Sequence, residues 1–212
     1  MQIKKLKRML LPPIIYLVIN KIISLFRPQK LFDGQSELFE KYFDKTLNYG
    51  EYGMGLSTQY ACENKARNIF AVDTNKEWCN LVKSKLSNDC KENISSIDLG
   101  EIVGGWGYPQ DYSKRKNIEK YLEYIWSFPT KPNFVLIDGR FRVACFLKSY
   151  IEAEPDTTII FDDYPDRHYY HIVEELIEPS EFNKRQAVFK VPKKKNIEFA
   201  QELLIDFKHV MK

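Results

Sequence analysis

The feature that most constrains this chain is a regular alternation of helical and strand patterns after Pro28. Such alternation is typical of β-α units, in which a helix connects each strand of a parallel sheet to the next. The pattern predicts strands at 46–52, 68–73, 93–98, 133–138, 157–162 and 185–191, and helices at 35–44, 57–65, 75–87, 114–127, 140–152, 167–177 and 195–210. Five such units predict a doubly wound, mostly parallel α/β sheet, which binds ligands beyond the carboxyl ends of its strands.

Length and composition are those of one globular domain. The chain has 212 residues, of which 44% are apolar, 14% aromatic and 29% charged, and these values exclude a disordered, fibrous or polytopic membrane protein. The four cysteines show no C-x-x-C spacing and no partnering histidine cluster. They therefore predict neither a zinc site nor a disulfide framework, and a reducing compartment is expected.

Charge divides the chain into a basic N-terminal segment, residues 1–30, and an α/β domain, residues 31–212. The first 30 residues hold seven basic residues and no acidic one, which leaves 25 basic and 29 acidic residues, a net charge of −4, in the domain. A domain that binds nucleic acid would carry a basic body, so no nucleic-acid partner is expected. The sequence does not indicate an oligomeric state.

The N-terminal segment predicts an amphipathic helix from Ile14 onward. Its polar face consists of residues at helical spacing: Tyr16, Asn20, Ser24 and Arg27. With the basic cluster at 4–8, residues 1–27 are expected either to bind an anionic membrane surface or to pack against protein. No cleavage site follows the apolar run, so we expect a cytoplasmic protein, peripheral on the inner face of a membrane. A signal anchor that places the domain outside the cytosol is the third alternative.

The end of the first strand carries a glycine-rich turn, Glu51-Tyr52-Gly53-Met54-Gly55-Leu56-Ser57. Two glycines let the backbone turn tightly, and the helix that follows offers free N–H groups to a ligand. Position 58 is threonine where a dinucleotide-binding turn has its third glycine, and the chain contains no P-loop motif. Dinucleotide binding and P-loop nucleotide binding are therefore both disfavoured.

Two further carboxylates follow the next two strands. Asp73 lies 18 residues after Gly55, about the spacing at which an acidic residue accepts hydrogen bonds from ribose hydroxyls. Asp98 ends the third strand, where a carboxylate could reach an adenine amino group. The order of the signals predicts a nucleoside-containing ligand.

These motifs, E-x-G-x-G-x-S, V-D-T-N and D-L-G, resemble the cofactor half of class I S-adenosylmethionine-dependent methyltransferases. The resemblance covers residues 45–191 and implies a Rossmann-like fold and S-adenosylmethionine as cofactor. By the same resemblance, Asp73 would hold the ribose and Asp98 would lie near the adenine. The residues implied for the amino-acid part of the cofactor are those of the glycine turn: Glu51, Gly53, Gly55 and Ser57.

The second half of the chain predicts a carboxylate cluster. Asp138 ends the fourth strand, and Asp162 and Asp163 end the fifth, so the three meet if these strands are neighbours. Convergent carboxylates repel one another unless a hard cation lies among them, and oxygen ligands suit Mg²⁺. Alternatively, Asp162 caps a helix and Asp163 starts a turn. The pattern resembles metal-dependent, macrocin-type sugar O-methyltransferases, in which the metal binds acceptor hydroxyls.

Arg140 departs from that resemblance, because macrocin-type enzymes tend to carry an acidic residue at this position. A guanidinium cannot remove a proton, so another group would act as the base. The nearest in sequence are His168, His171 and Asp166, although the two histidines can equally cover a helix face. Arg140 and Arg142 are expected to replace that acidic residue because the acceptor is anionic. Alternatively, Arg140 pairs with Asp138 or Asp163.

The predicted function is transfer of a methyl group to a hydroxyl of a sugar or glycan precursor. The alternatives are a methyltransferase-fold assembly protein of a polysaccharide pathway and a transferase that uses a nucleotide-sugar.

The loop Gly104–Pro109 offers aromatic surface and is expected to form a wall of the site. Near the C-terminus only one strand is predicted, where class I methyltransferases usually have an antiparallel pair.

Overall fold

The computed structural model describes residues 30–44, 47–103 and 107–211. The chain divides into two units, Met1–Gly34 and Gln35–Lys212. The described part of the first unit, residues 30–34, contains a tight turn at Leu31–Gly34 in which Phe32 and Asp33 have positive φ angles. The predicted amphipathic helix lies outside the described residues, and the predicted boundary after residue 30 stays a prediction.

The second unit contains nine strands and six α-helices in its described part. The strands are β1 (Asn48–Tyr52), β2 (Asn68–Asp73), β3 (Ile94–Ser96), β4 (Ile102–Val103), β5 (Tyr108–Pro109), β6 (Phe134–Ile137), β7 (Thr158–Phe161), β8 (Glu181–Phe182) and β9 (Ala187–Lys190). The helices are α1 (Glu37–Tyr42), α2 (Leu56–Glu63), α3 (Lys76–Ser84), α4 (Lys116–Glu123), α5 (Arg142–Glu152) and α6 (Ile197–Phe207). Single 3-10 segments cover Asn88–Cys90, Tyr124–Trp126 and His168–Glu175. In the ranges that the structure describes, no helix is long and apolar enough to cross a bilayer.

Seven strands form one sheet in the order β3-β2-β1-β6-β7-β9-β8. The first five strands in this order are parallel to one another, whereas β9 is antiparallel to both β7 and β8. This topology confirms the predicted doubly wound, mostly parallel α/β fold. The strand order reverses between β1 and β6, and that point lies in the middle of the sheet.

The core follows from continuous apolar strands. Every residue of β6 and β7 is buried, as expected for central strands that are covered on both faces. Asn75 and Asn196 begin two of the helices, because their side-chain oxygens accept hydrogen bonds from the N–H groups of Trp78 and Phe199. The parallel strands are thereby held with their carboxyl ends at one edge.

Three short elements differ from the sequence prediction. Residues His168–Glu175 form a 3-10 helix where an α-helix was expected. The loop before α4 contains an antiparallel pair, β4 with β5. Strand β8 completes an antiparallel pair with β9, which corrects the expectation of a single C-terminal strand. Strands of two residues are too short to show an alternating pattern, so periodicity cannot reveal them.

A disulfide joins Cys62, at the end of α2, to Cys90 in the segment Asn88–Cys90. The two Cα atoms are 5.9 Å apart although 28 residues separate them in sequence. This corrects the prediction that the cysteines form no disulfide. The pairing depends on where α2 and the turn after α3 meet, and spacing along the chain carries no such information.

Candidate functional site

The candidate site lies at the carboxyl ends of β1 and β6, where the strand order reverses. In a doubly wound sheet this is the position of the ligand crevice. Gly53 follows β1 and donates a hydrogen bond to the Val72 carbonyl oxygen (2.9 Å), while Asp138 follows β6 and donates its N–H to the Tyr52 carbonyl oxygen (2.9 Å). The ladder thus extends one residue beyond the strands and brings both predicted site residues to one edge.

The glycine turn packs directly against the end of β6. Gly53 has a φ of +87°, and a Cβ atom there would lie 2.6 Å from the Cα of Gly139. Only glycine therefore fits at this position. A Cβ on Gly55 would meet nothing within 4 Å, so Gly55 borders open space.

Glu51 and Ser57 bind each other within this turn. The Glu51 carboxylate is fully buried and accepts hydrogen bonds from the hydroxyls of Ser57 and Thr58, the latter at 2.6 Å. Burial raises the pKa of Glu51 to about 7, and the two hydroxyls oppose that rise. Both side chains, predicted to bind cofactor, therefore hold the start of α2 against β1.

Asp73 braces the same turn from β2. Its two carboxylate oxygens accept hydrogen bonds from the N–H groups of Met54 (3.0 Å) and Asn75 (2.8 Å). The Trp78 indole N–H donates to the Met54 carbonyl oxygen at 2.6 Å, which closes the turn further. Burial raises the pKa of Asp73, and these backbone donors oppose the rise. A carboxylate has about four acceptor positions, so capacity remains for ribose hydroxyls.

Asp98 lies apart from the buried carboxylates, because its side chain is 64% exposed. It pairs with Lys114 and accepts a hydrogen bond from the Gly100 N–H (3.0 Å), and these contacts lower its pKa. The next residue, Leu99, lines a narrow cleft with Pro109, Ile118 and Phe141 and with the charged side chains of Asp111 and Arg115. The assignment of Asp98 to the adenine stays a prediction.

Arg140 faces the β4–β5 hairpin. The centre of its guanidinium lies 4.2 Å from the centroid of the Tyr108 ring, a cation–π contact. The Thr74 hydroxyl donates to the Gly107 carbonyl oxygen at 2.8 Å and fixes the hairpin over the end of β2. Tyr108 therefore contacts one predicted site residue, and the aromatic wall stays a prediction, since Gly104, Gly105 and Trp106 lie outside the described residues.

The three predicted carboxylates do converge. Oxygen atoms of Asp138, Asp162 and Asp163 lie within 4.8 Å of one another, because β6 and β7 are neighbours in register. Asp162 is fully buried, and the Asp138 side chain is 30% exposed. Burial raises the pKa of Asp138 well above its ordinary value, and the neighbouring Asp162 carboxylate adds to that rise.

Each of these carboxylates accepts hydrogen bonds from an arginine. Arg142 contacts Asp138 at 2.9 Å, and Arg167 contacts Asp163 at 2.7 Å. Arg185 forms a bidentate pair with Asp162, with distances of 2.8 Å from its Nε and 2.7 Å from its Nη2. The arginine that pairs with Asp138 is therefore Arg142, and not Arg140 as the sequence-based alternative had it. This corrects the expectation that Arg142 binds the acceptor, because its buried guanidinium already binds Asp138 and the Gly139 and Asp162 carbonyl oxygens.

The two histidines lie to one side of the cluster. Their rings are 5.2 Å apart, and His171 stacks on Tyr164 with ring centroids 4.7 Å apart. The Nδ1 of His171 lies 3.8 Å from a Glu174 oxygen. The contacts described for His168 and His171 are thus with each other, with Tyr164 in the turn after β7 and with Glu174.

Two arginines of this site, Arg167 and Arg185, were not identified from the sequence. Arg185 precedes β9 in the hairpin turn, and its place beside Asp162 results from the antiparallel return of the chain. Arg167 lies four residues after Asp163, a helical spacing that could have indicated the pair. The basic run around Lys184 resembles an ordinary solvated turn and carries no such signal.

The residues present fit S-adenosylmethionine better than they fit a divalent cation. The Gly53 and Gly139 backbones form a tight floor, Gly55 borders open space and Asp73 keeps acceptor capacity. The carboxylate cluster has the oxygen ligands that Mg²⁺ prefers, but a cation would compete there with three guanidinium groups. The glycine turn therefore fits a cofactor, and its role as a cofactor cradle stays a prediction, as does the metal.

Together, the sheet topology and the glycine turn identify the fold as that of class I methyltransferases. The chain is similar to the crystal structure of a methyltransferase-like protein from Silicibacter pomeroyi, with 27% identity and a TM-score of 0.75 over 86% of this chain and 97% of that chain. A putative methylase from Haemophilus influenzae shows 10% identity and a TM-score of 0.47 over 76% of this chain and 98% of that one. The MycE methyltransferase of the mycinamycin biosynthetic pathway, crystallised with Mg and SAH, shows 13% identity and a TM-score of 0.47 over 79% of this chain and 50% of that one. No protein-family profile and no curated protein matches the sequence.

Proposed function

We propose that this protein is an S-adenosylmethionine-dependent methyltransferase that methylates a hydroxyl of an anionic sugar or glycan precursor. The observation that carries the proposal is the cradle at the strand-order reversal, in which Gly53 packs on Gly139 and Asp73 braces the turn. The likeness to the methyltransferase-like protein over nearly the whole of both chains supports it.

In this proposal each part of the cradle has a task. The open space beside Gly55 accommodates the amino-acid part of the cofactor, Asp73 accepts hydrogen bonds from the ribose, and Asp98 lies near the adenine. The cofactor supplies an activated methyl group on sulfur. The protein aligns the acceptor oxygen with that methyl group, which lowers the entropic part of the barrier.

Asp138 is the candidate proton acceptor. Its carboxylate lies at the end of β6 beside the cradle and is partly exposed, whereas Asp162 is fully buried under Arg185. His168 and His171 remain sequence-based candidates. The proposal includes no step through a divalent cation, because arginines already bind the carboxylates that would hold it.

Arg140 supports an anionic acceptor. No ion pair within 4.0 Å involves Arg140 in residues 30–44, 47–103 and 107–211, and the centre of its guanidinium lies 4.2 Å from the centroid of the Tyr108 ring. A guanidinium in that position can form two parallel hydrogen bonds to a carboxylate or phosphate. A uronic acid, a phosphorylated sugar or a nucleotide-sugar would supply such a group.

Titration calorimetry with S-adenosylhomocysteine tests cofactor binding. We expect Asp73→Asn to weaken binding by about 1.5–3 kcal/mol, since charged hydrogen bonds of that strength are lost. Asp89→Asn, which removes one exposed carboxylate in the turn after α3, serves as the matched control and should bind as wild type does. Absence of heat for the wild-type protein would remove the methyltransferase proposal.

Methyl transfer from labelled cofactor to a matched pair of nucleotide-sugars tests the acceptor. One carries a uronic acid and the other the corresponding neutral hexose. We expect wild type to prefer the uronic acid and Arg140→Gln to lose that preference, with cofactor affinity and melting temperature unchanged. Equal use of both sugars by the wild-type protein would contradict an anionic acceptor.

A second candidate function is a binding or assembly protein of a polysaccharide pathway that retains the fold. The observation that favours it is the replacement of the expected acidic residue by Arg140, together with the position of the histidines beside Tyr164. Such a protein would bind the cofactor in the calorimetric experiment and transfer no methyl group.

We further propose that residues 1–27 place the domain at an anionic membrane surface.

A further inference from the structure

We infer that three guanidinium groups hold the carboxylate cluster together in the place of a divalent cation, so that Asp138, Asp162 and Asp163 bind no Mg²⁺. The guanidinium groups belong to Arg142, Arg167 and Arg185. This inference goes beyond methyl transfer and does not depend on it.

Positive charge surrounds the cluster before any ion arrives. Three carboxylates face three guanidinium groups, and the distances between paired atoms are 2.7–2.9 Å. Longer contacts of 3.5 Å join Asp163 to both Arg142 and Arg185, so the six side chains form one network. A divalent cation at its centre would add two positive charges beside three guanidinium groups.

The ligand positions of Asp162 are also occupied. Its Oδ1 accepts hydrogen bonds from the Nε of Arg185 (2.8 Å) and the Nε2 of Gln186 (3.1 Å), and its Oδ2 accepts one from the Nη2 of Arg185 (2.7 Å). Because a carboxylate oxygen has two lone pairs, Oδ1 keeps none for a metal. Mg²⁺ requires near-ideal octahedral geometry, and Asp162 is too deeply buried to rotate into it.

The arginines also make contacts that a cation could not make. Arg142 is buried and donates to the carbonyl oxygens of Gly139 (3.0 Å) and Asp162 (2.6 Å). These bonds connect the ends of β6 and β7, while Arg185 connects β7 to the hairpin before β9. The guanidinium groups are therefore positioning residues that fix the edge of the sheet on which the crevice is built.

Mn²⁺ titration followed by electron paramagnetic resonance tests this without any cofactor or acceptor. We expect the full-length wild-type chain to leave Mn²⁺ free into the millimolar range. Binding of one Mn²⁺ per chain that Asp138→Asn abolishes would overturn the inference. Failure of the methyltransferase proposal would appear instead in the separate titration with S-adenosylhomocysteine.

A variant that lacks one guanidinium group tests the inference in the opposite direction, because Mn²⁺ should then stabilise the protein. Arg185→Gln is expected to lower the melting temperature, and Mn²⁺ is expected to restore part of the loss where NaCl of equal ionic strength does not. Adding Asp138→Asn to that variant should abolish the recovery. If Arg185→Gln does not fold, Arg167→Gln, which replaces a more exposed arginine, is used in the same way. Absence of recovery in the folded variant would overturn the claim that guanidinium replaces a cation.

Discussion

At the scale of single residues, several predicted ligand-binding side chains maintain the turn that forms the crevice. Glu51 accepts two hydroxyl hydrogen bonds from the first turn of α2, and Asp73 accepts two backbone N–H groups. Both are buried acids, and burial raises the pKa of each, so the stability of the turn depends on pH.

Glu51→Gln should remove one part of that dependence. The pKa of Glu51 is about 7 in the folded protein against 4.5 for a free side chain, so the native state binds its proton more tightly than the unfolded state. Its contribution to stability is therefore present below pH 4.5 and is lost as pH rises through 7, a loss of roughly 3 kcal/mol. Asp73 and Asp138 shift in the same direction, so the difference between wild type and Glu51→Gln isolates the Glu51 effect.

Urea unfolding at pH 5 and at pH 8 measures this effect. The free energy of unfolding of the wild type should fall more between the two values than that of Glu51→Gln. Parallel changes in the two proteins would show that Glu51 titrates near its ordinary value.

At the scale of elements, the short connections decide the shape of the site. The β4–β5 hairpin brings Tyr108 under Arg140, and the β8–β9 turn brings Arg185 to Asp162. The disulfide between Cys62 and Cys90 likewise joins the end of α2 to the turn after α3, beside the helices that flank the cofactor cradle.

Replacing both bonded cysteines by serine should lower stability. The bridge closes a loop with a sequence separation of 28 residues, for which chain entropy predicts about 3.5 kcal/mol of stabilisation. The measurement is urea unfolding of the wild type and of Cys62→Ser/Cys90→Ser, each with and without dithiothreitol. The reductant should lower the wild type to the level of the variant and leave the variant unchanged. A wild type insensitive to reductant would contradict the presence of the bond in solution.

At the scale of the whole molecule, the chain combines a weakly acidic α/β domain with a basic N-terminal segment. The α/β domain carries the candidate site. We expect the basic N-terminal segment to be attracted electrostatically to anionic lipid, and this attraction should weaken as salt screens the charges.

Co-sedimentation with vesicles tests this expectation on the full chain. Binding should be stronger to vesicles that contain phosphatidylserine than to neutral ones and should weaken with added salt. Replacing the basic cluster by glutamine (Lys4, Lys5, Lys7 and Arg8) should abolish the difference, and the same number of lysines changed on the domain, at Lys65, Lys85, Lys91 and Lys193, should not. Binding that ignores lipid charge would exclude an electrostatic anchor.

The sequence by itself determined the sheet and the edge that carries the site. Helical and strand periods reflect burial along a continuous segment, so the long elements were predictable. The residues that end parallel strands must share an edge, so the convergence of Asp138 with Asp162 and Asp163 was predictable too. Only the tertiary structure decided the partners of these groups. Arg185 beside Asp162, Tyr108 beside Arg140 and Cys62 beside Cys90 are contacts between segments remote in sequence. They result from how two-residue strands and short turns return the chain, and such turns leave no periodic trace.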